Sequence, residues 1–184
     1  MRAVPLPAVT LVLGGARSGK SAHAEALVES QPQGCLYIAT AEAGDAEMVA
    51  RIRAHRARRG ARWRTVEAPL DIAGALARSE PADGAILVDC LTLWLANLMA
   101  AGRQPAGEAE RLAAALRAAA LPVVLVANEV GLGIVPDNAL GRAFRDHAGR
   151  LNQAIAAMAD AVVLMVAGLP LAVKPAAAAT VATP

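Results

Sequence analysis

The chain is 184 residues long, about one domain, with 56% apolar, 2% aromatic and 18% charged residues and a formal net charge of +2. That composition excludes a disordered, collagen-like or disulfide-scaffolded chain, and one Phe, one Tyr and two Trp are too few rings for a base-stacking nucleic-acid platform. The 18 basic residues are 16 arginines and only two lysines, Lys20 and Lys174, so each lysine position carries weight.

The opening Met1 to Leu13 has a basic start and an apolar stretch, but Pro5 and Pro7 interrupt it. A leader cleavage site there would fall in a glycine-rich segment, so the stretch reads as the approach to a strand rather than as a signal peptide. In chain order, strands are predicted over Val9 to Leu13, Cys35 to Thr40, Ala85 to Val88, Val123 to Ala127 and Ala161 to Val166. Helices are predicted over Ser21 to Glu29, Asp45 to Arg59, Leu91 to Ala101, Glu108 to Ala120 and Asn138 to Met158, bounded by Gly and Pro. Each strand is a near-continuous apolar run, as in a parallel sheet covered on both faces. Strand followed by helix, repeated, predicts a doubly wound, mostly parallel α/β fold. Without repeats or an internal linker, residues 1–174 read as one domain, and Pro175 to Pro184 as a low-complexity tail expected to be frayed. No uncharged stretch before that tail approaches the roughly 18 to 20 residues of a membrane span. Cys35 and Cys90 sit in apolar runs and read as buried free thiols of a reducing cytoplasm.

Directly after the first strand stands Gly14-Gly15-Ala16-Arg17-Ser18-Gly19-Lys20-Ser21, a full G-x-x-x-x-G-K-[ST] match opening a helix. Glycines let successive backbone N–H groups converge on phosphate oxygens, and the helix N-terminus adds its dipole. Lys20 then reaches the β and γ phosphates and the Ser21 hydroxyl ligates Mg²⁺, which makes the fold of the P-loop NTPase type. The bland alternative is a glycine-rich turn with no ligand. A second metal anchor is expected at the end of a neighbouring strand, where Ala85-Ile86-Leu87-Val88 is followed by Asp89. The alternative is that Asp89 merely caps the helix beginning near Leu91, though the strand context favours the metal role. Asn128 and Glu129 end a further strand and should face the same crevice. That segment lacks the Asn-Lys-x-Asp guanine reader of a switch GTPase, which counts against a signalling role.

Seven of the 16 arginines lie between Arg51 and Arg64. Such a run is usually a solvated helix face or a nucleic-acid patch, but here a triphosphate is an equally good partner. His55 lies within the run, and surrounding positive charge favours its neutral, nucleophilic imidazole. His23 and His147 read as structural or surface residues, and no Cys/His spacing fits a zinc site.

Taken together, Gly14 to Ser21, Tyr37-Ile38-Ala39-Thr40-Ala41-Glu42, the Glu47-Met48 to His55 segment, Trp63-Arg64-Thr65-Val66-Glu67 and Asn128 to Pro136 resemble one family from about Val9 to Lys174. It is the bifunctional adenosylcobinamide kinase / adenosylcobinamide-phosphate guanylyltransferase of cobalamin biosynthesis. The resemblance implies that ATP or GTP binds on Gly14, Gly15, Ala16, Arg17, Ser18, Gly19, Lys20 and Ser21. It implies that His55 is the residue that becomes guanylylated, with Lys20 the second catalytic residue. Further nucleotide contacts are implied at Thr40, Ala41, Glu42, Arg56, Ala57, Arg58, Arg59, Glu67 and Asp89, and metal contacts at Ser21 and Asp89. The family often has Glu where this chain has Asp89, one methylene shorter. The implied partners are adenosylcobinamide, adenosylcobinamide phosphate, GTP and ATP with Mg²⁺, in a homotrimer, with no nucleic acid. The rival reading is a P-loop small-molecule kinase without nucleotidyl transfer.

Overall fold

A computed structural model of the chain describes residues 5–42, 53 and 59–176. The apolar runs become strands β1 (Val9–Gly14), β2 (Cys35–Ala39), β3 (Trp63–Glu67), β4 (Ala85–Asp89), β5 (Val123–Asn128), β6 (Ala161–Val166) and β7 (Leu169–Lys174). The described helices are α1 (Lys20–Glu29), α2 (Ile72–Ala77), α3 (Leu91–Ala100), α4 (Pro105–Ala118) and α5 (Ala139–Met158). All seven strands form one sheet in the order β3-β2-β4-β5-β1-β6-β7, parallel except for the β6–β7 pair.

Both faces of the sheet are covered, which is why its central strands could be apolar throughout. One face buries Val12, Tyr37, Leu87 and Val124 with Ala24 and Val28 of α1. The other buries Leu11, Ile38, Val88 and Leu125 with residues of α2 to α5, among them Trp94, Leu112 and Ile155. Leu11, Ile38, Leu87 and Leu125 are wholly inaccessible to solvent, each stabilising the fold by roughly 1.5–3 kcal/mol relative to an exposed side chain.

Four expectations change. Strand β3 was not predicted because its residues are half-buried or exposed along an edge, so it lacks a continuous apolar run. Strand β7 is exposed along its whole length and contains Pro170, a residue tolerated only where no ladder N–H is needed, as on an edge. Helix α2 is six residues, too short for a visible period; Asp71 caps it by accepting from Gly74 N at 3.0 Å. Helix α4 starts at Pro105 rather than Glu108, since proline suits the first turn, where its missing N–H costs nothing. The helix predicted from Asp45 and the tail from residue 177 lie outside the described residues, save Arg53 and Arg59.

Lys174 closes the sheet's last strand onto the end of α5. Its Nζ donates to Ala157 O at 3.2 Å and to Ala159 O, two of the carbonyls that a helix C-terminus leaves without intrahelical partners.

Candidate functional site

The parallel registers bring the C-terminal ends of five strands to one edge. Gly14 stands beside Asn128, Val126 beside Asp89, Asp89 beside Ala39, and Ala39 beside Glu67. The glycine-rich loop, Asn128, Asp89, the Thr40-Ala41-Glu42 segment and Glu67 therefore line one rim, where ligands of open parallel sheets bind.

The loop of residues 14–21 leaves β1 and enters α1. Gly14 is closely enclosed: a Cβ there would stand 2.4 Å from Ser18 Oγ and 3.0 Å from Met165 O. Gly19 caps α1 at φ 91°, in the left-handed region that glycine occupies at least cost, and Arg17 also has φ 55°. No side chain caps the first turn of α1 and no carboxylate lies in it, so its N–H groups keep their affinity for an anion. Lys20 Nζ folds back and donates to Gly15 O at 3.0 Å. From behind, the β6–β7 turn steadies the loop, with Gly168 N donating to Ser18 O at 3.0 Å. Ser18 itself is buried, and its Oγ has no hydrogen-bond partner among the described residues.

Asp89 ends the acidic strand β4 and accepts from the Tyr37 hydroxyl at Oδ2, 3.1 Å away. Burial and the neighbouring Asp89 push the Tyr37 phenol well above its ordinary value, so it stays a neutral donor. The cap of α3 is the next residue: the Cys90 sulfur accepts from Leu93 N at 3.4 Å, so Asp89 is not the cap. Thr40 is fully buried, and its hydroxyl is committed to the backbone of Cys90. Its carbonyl accepts from Asn97 Nδ2 at 2.8 Å, an amide that also donates to Pro69 O at 3.0 Å. Thr40 thus works as a tie between strand ends, with Ala41 half-buried and Glu42 exposed beyond it. Sequence reasoning gives Tyr37 no role of its own beyond its motif, takes Cys90 only as a buried thiol and misses Asn97; Tyr37, the sole tyrosine of the chain, is the one available signal.

Of the arginine run, Arg59 lies over the Tyr37 ring, its guanidinium carbon 3.5 Å from the centroid, and donates to Thr65 Oγ1 at 3.3 Å. Arg59, Tyr37 and Asp89 therefore form one contact chain from that run to the acidic strand. His55, Arg56, Ala57 and Arg58 lie outside the described residues. His23, whose ring burial lowers its pKa, sits on α1. The carboxylate of Glu129 is folded onto Gly131 N at 2.6 Å, which shapes the loop after β5. Among the described residues no three His, Cys, Asp or Glu side chains cluster as a metal site, and no helix is long and apolar enough to cross a membrane.

Residues 10–173 match the family described as cobinamide kinase / cobinamide phosphate guanyltransferase. The chain is similar to the bifunctional adenosylcobalamin biosynthesis protein CobP of Pseudomonas aeruginosa, 49% identical over 166 residues, which cover 89% of this chain and 96% of that one. It is also similar to the bifunctional adenosylcobalamin biosynthesis protein CobU of Salmonella typhimurium, 45% identical over 179 residues, covering 89% and 98%. Among solved structures its fold resembles that of a prototypical ATPase from a type III secretion system of pathogenic bacteria. That likeness has a TM-score of 0.59 at 12% identity and covers 89% of this chain and 56% of that one.

Proposed function

The chain belongs to the cobinamide kinase / cobinamide phosphate guanyltransferase family, and on that premise we propose that it carries out both reactions at the one rim, the second through a guanylyl-histidine on His55. The observation that carries the reading is the loop of residues 14–21 at the open N-terminus of α1, with Asp89 two strands away on the same edge.

In the first reaction the aminopropanol hydroxyl of adenosylcobinamide attacks the γ-phosphorus of ATP or GTP. The P–O bond to the β-phosphate breaks, and the hydroxyl proton passes to solvent. Backbone N–H groups of the loop hold the phosphates, and Lys20 swings from Gly15 O to the β and γ oxygens. Ser21 and Asp89 suit Mg²⁺, because this cation takes one or two hard oxygen ligands from protein and completes its shell with phosphate and water. When bound, Mg²⁺ supplies neutralisation of the phosphate charge. The Tyr37 hydrogen bond fixes the Asp89 carboxylate in orientation.

In the second reaction His55 attacks the α-phosphorus of GTP and pyrophosphate leaves. An oxygen of adenosylcobinamide phosphate then attacks the same phosphorus and the N–P bond breaks, giving adenosylcobinamide-GDP. Splitting the transfer into two displacements is nucleophilic catalysis and requires the neutral imidazole. Arginines of the 51–64 run balance charge on the triphosphate and on pyrophosphate. Arg56, Arg58 and Arg59, with Ala41, Glu42 and Glu67 at the strand ends, complete the nucleotide's surroundings, Thr40 acting only as the buried tie beneath them, and the protein works as a homo-oligomer in the cytoplasm.

The test uses GTP labelled at the α or at the γ phosphate. Acid-labile, base-stable label on the protein from the α position only, lost in His55→Ala, is expected. Undiminished label in that variant overturns the histidine assignment, and a wild-type protein that phosphorylates adenosylcobinamide but never takes label is a kinase alone.

A further inference from the structure

Two polar atoms at the corner between β5 and α5 have no hydrogen-bond partner among the described residues. Asn128 Oδ1 and Arg145 Nη1 are both buried without a hydrogen bond. Orphaned buried polar atoms are rare because each forfeits its hydration without compensation, and a guanidinium N–H forfeits the most.

The corner is built rigidly. Asn128 N donates to Thr92 Oγ1 at 2.7 Å, Asn128 O accepts from Asn152 Nδ2 at 3.2 Å, and Glu129 N donates to Gly14 O at 3.1 Å. Arg145 Nη2 donates to Gly131 O. Arg145 and Asn152 are seven residues apart on α5, hence on one face, so two turns of one helix clamp the segment from 128 to 131. Glu129 touches the first residue of the phosphate loop, and Arg145 holds the chain two residues farther on. The Arg145 cation therefore lies next to the nucleotide loop without being part of it. Among the described residues Arg145 has no carboxylate partner. The same segment exposes Leu132, Ile134 and Val135 to solvent.

We propose that this corner is the acceptor subsite, in which Arg145 binds the phosphate monoester of the acceptor during guanylyl transfer. The inference rests on the two-step reading above. The second reaction brings a dianionic acceptor against a site already crowded with nucleotide phosphate, so the acceptor needs a cation of its own. Arg145 donates from Nη2 to Gly131 O, and its buried Nη1, without a protein partner, is the donor that phosphate oxygens would satisfy. The exposed apolar side chains of Leu132, Ile134 and Val135 give a rim suited to an acceptor carried on a large ring system. Arg145 holds non-reacting oxygens, so no proton or bond changes hands on it.

The experiment compares the KM for adenosylcobinamide phosphate in guanylyl transfer with that for unphosphorylated adenosylcobinamide in phosphoryl transfer. Losing a charge-assisted contact in Arg145→Gln should raise the first by ~10- to 100-fold, with an effect on the second at least tenfold smaller. Arg145→Lys, which keeps the charge and loses the fork, should raise the first by roughly 3- to 10-fold. Equal effects on both acceptors, as from a purely structural clamp, overturn the proposal, as does no effect on either. If Arg145→Gln does not fold, the ratio is read on Arg145→Lys, and an unchanged ratio there is likewise fatal. A wild-type protein that takes no label from α-labelled GTP removes the two-step reading and this inference with it. Label without a change in the KM ratio removes this inference alone.

Discussion

The hydroxyl of Thr40 and the peptide of Cys90 satisfy each other twice: Oγ1 accepts from Cys90 N at 2.7 Å and donates to Cys90 O at 2.8 Å. One buried side chain thereby locks the end of β2 to the end of β4, and Asp89 is held where the two strands meet. In Thr40→Val the shape is kept while Cys90 N loses its partner; Cys90 O still accepts from Trp94 N at 3.1 Å. A buried group left unsatisfied costs about 1–3 kcal/mol, so the variant should be destabilised by roughly that much in urea unfolding. Thr40→Ser should recover most of that, because it restores the hydroxyl. A Thr40→Val protein as stable as wild type would show that water can take over the contact to Cys90 N.

Cys90 makes the same junction sensitive to alkali. Burial and the neighbouring Asp89 push its thiol up to about 11. The unfolded thiol ionises near its ordinary value while the folded one stays neutral. Stability is therefore complete below about pH 9 and falls as pH rises toward 11, at about 1.4 kcal/mol per pH unit for one proton. Tyr37, also raised, steepens the loss above about pH 10 by the same sign. Urea unfolding at pH 8, 9, 10 and 11 should show the decline, and Cys90→Ala should remove the part between 9 and 10. The native thiol should also react slowly with a disulfide reagent at pH 8, since the thiolate is the attacking species.

The candidate site is legible in the sequence where chemistry requires a fixed spacing on a predictable scaffold. Gly14 to Ser21 could be placed because an apolar strand precedes it and a helix follows, and Asp89 because four apolar residues lead to it. The supporting contacts were not legible, because they depend on register between strands far apart in the chain. Nothing in the spacing of Thr40 and Cys90 shows that parallel pairing of β2 with β4 makes them neighbours. The cap of α3 was hidden for a different reason: a cysteine sulfur does the work for which Asp, Ser or Thr is the usual choice. Strands β3 and β7 escaped because edge strands have no need to be apolar on both sides. Lys174 was noticed for its rarity, and only the fold shows that it closes α5.

Arg64 and Asp83 should control stability in acid. Asp83 is buried, and Arg64 reaches both of its oxygens, Nε to Oδ1 at 3.0 Å and Nη2 to Oδ2 at 2.5 Å, while Glu80 N donates to Oδ2 at 2.7 Å. Burial pushes the carboxyl up, but those hydrogen bonds and the guanidinium charge outweigh it and leave it below the usual value. A lowered carboxyl contributes stability above the unfolded pKa, near 4, and that contribution fades as pH falls through the folded one. Arg64→Met should cost about 2 kcal/mol at pH 7, because it leaves a buried carboxylate short of donors. It should also flatten the fall in stability below about pH 4. Equal acid limbs for variant and wild type would place the titration elsewhere.

Lys174→Met separates a structural lysine from a catalytic one. The Nζ of Lys174 serves carbonyls at the end of α5, and its loss should cost about 1 kcal/mol without altering the affinity for nucleotide. A tenfold weaker nucleotide affinity in that variant would mean that the β6–β7 hairpin transmits its disorder to the phosphate loop through the Gly168–Ser18 bond.

Lys20→Met should behave in the opposite way. Lys20 is half-buried, and its Nζ bonds the carbonyl of Gly15 within its own loop, a contact that water can replace at little cost. Removing the ammonium should therefore shift unfolding by no more than about 0.5 kcal/mol. The same deletion removes the loop's ammonium from the β and γ phosphates, where a charge-assisted contact acts beside an open helix N-terminus. Phosphoryl transfer should fall by roughly 100-fold or more, since charge on the transferred group is stabilised almost wholly by such positioned cations. Labelling by α-labelled GTP should fall as well, because the pyrophosphate leaving in that step carries the same two phosphates. Lys20→Arg keeps the charge but not the compact point donor, so it should recover only part of either rate. If Lys20→Met unfolds readily or keeps full turnover, the bond to Gly15 is its true role and the nucleotide is held by backbone N–H groups alone.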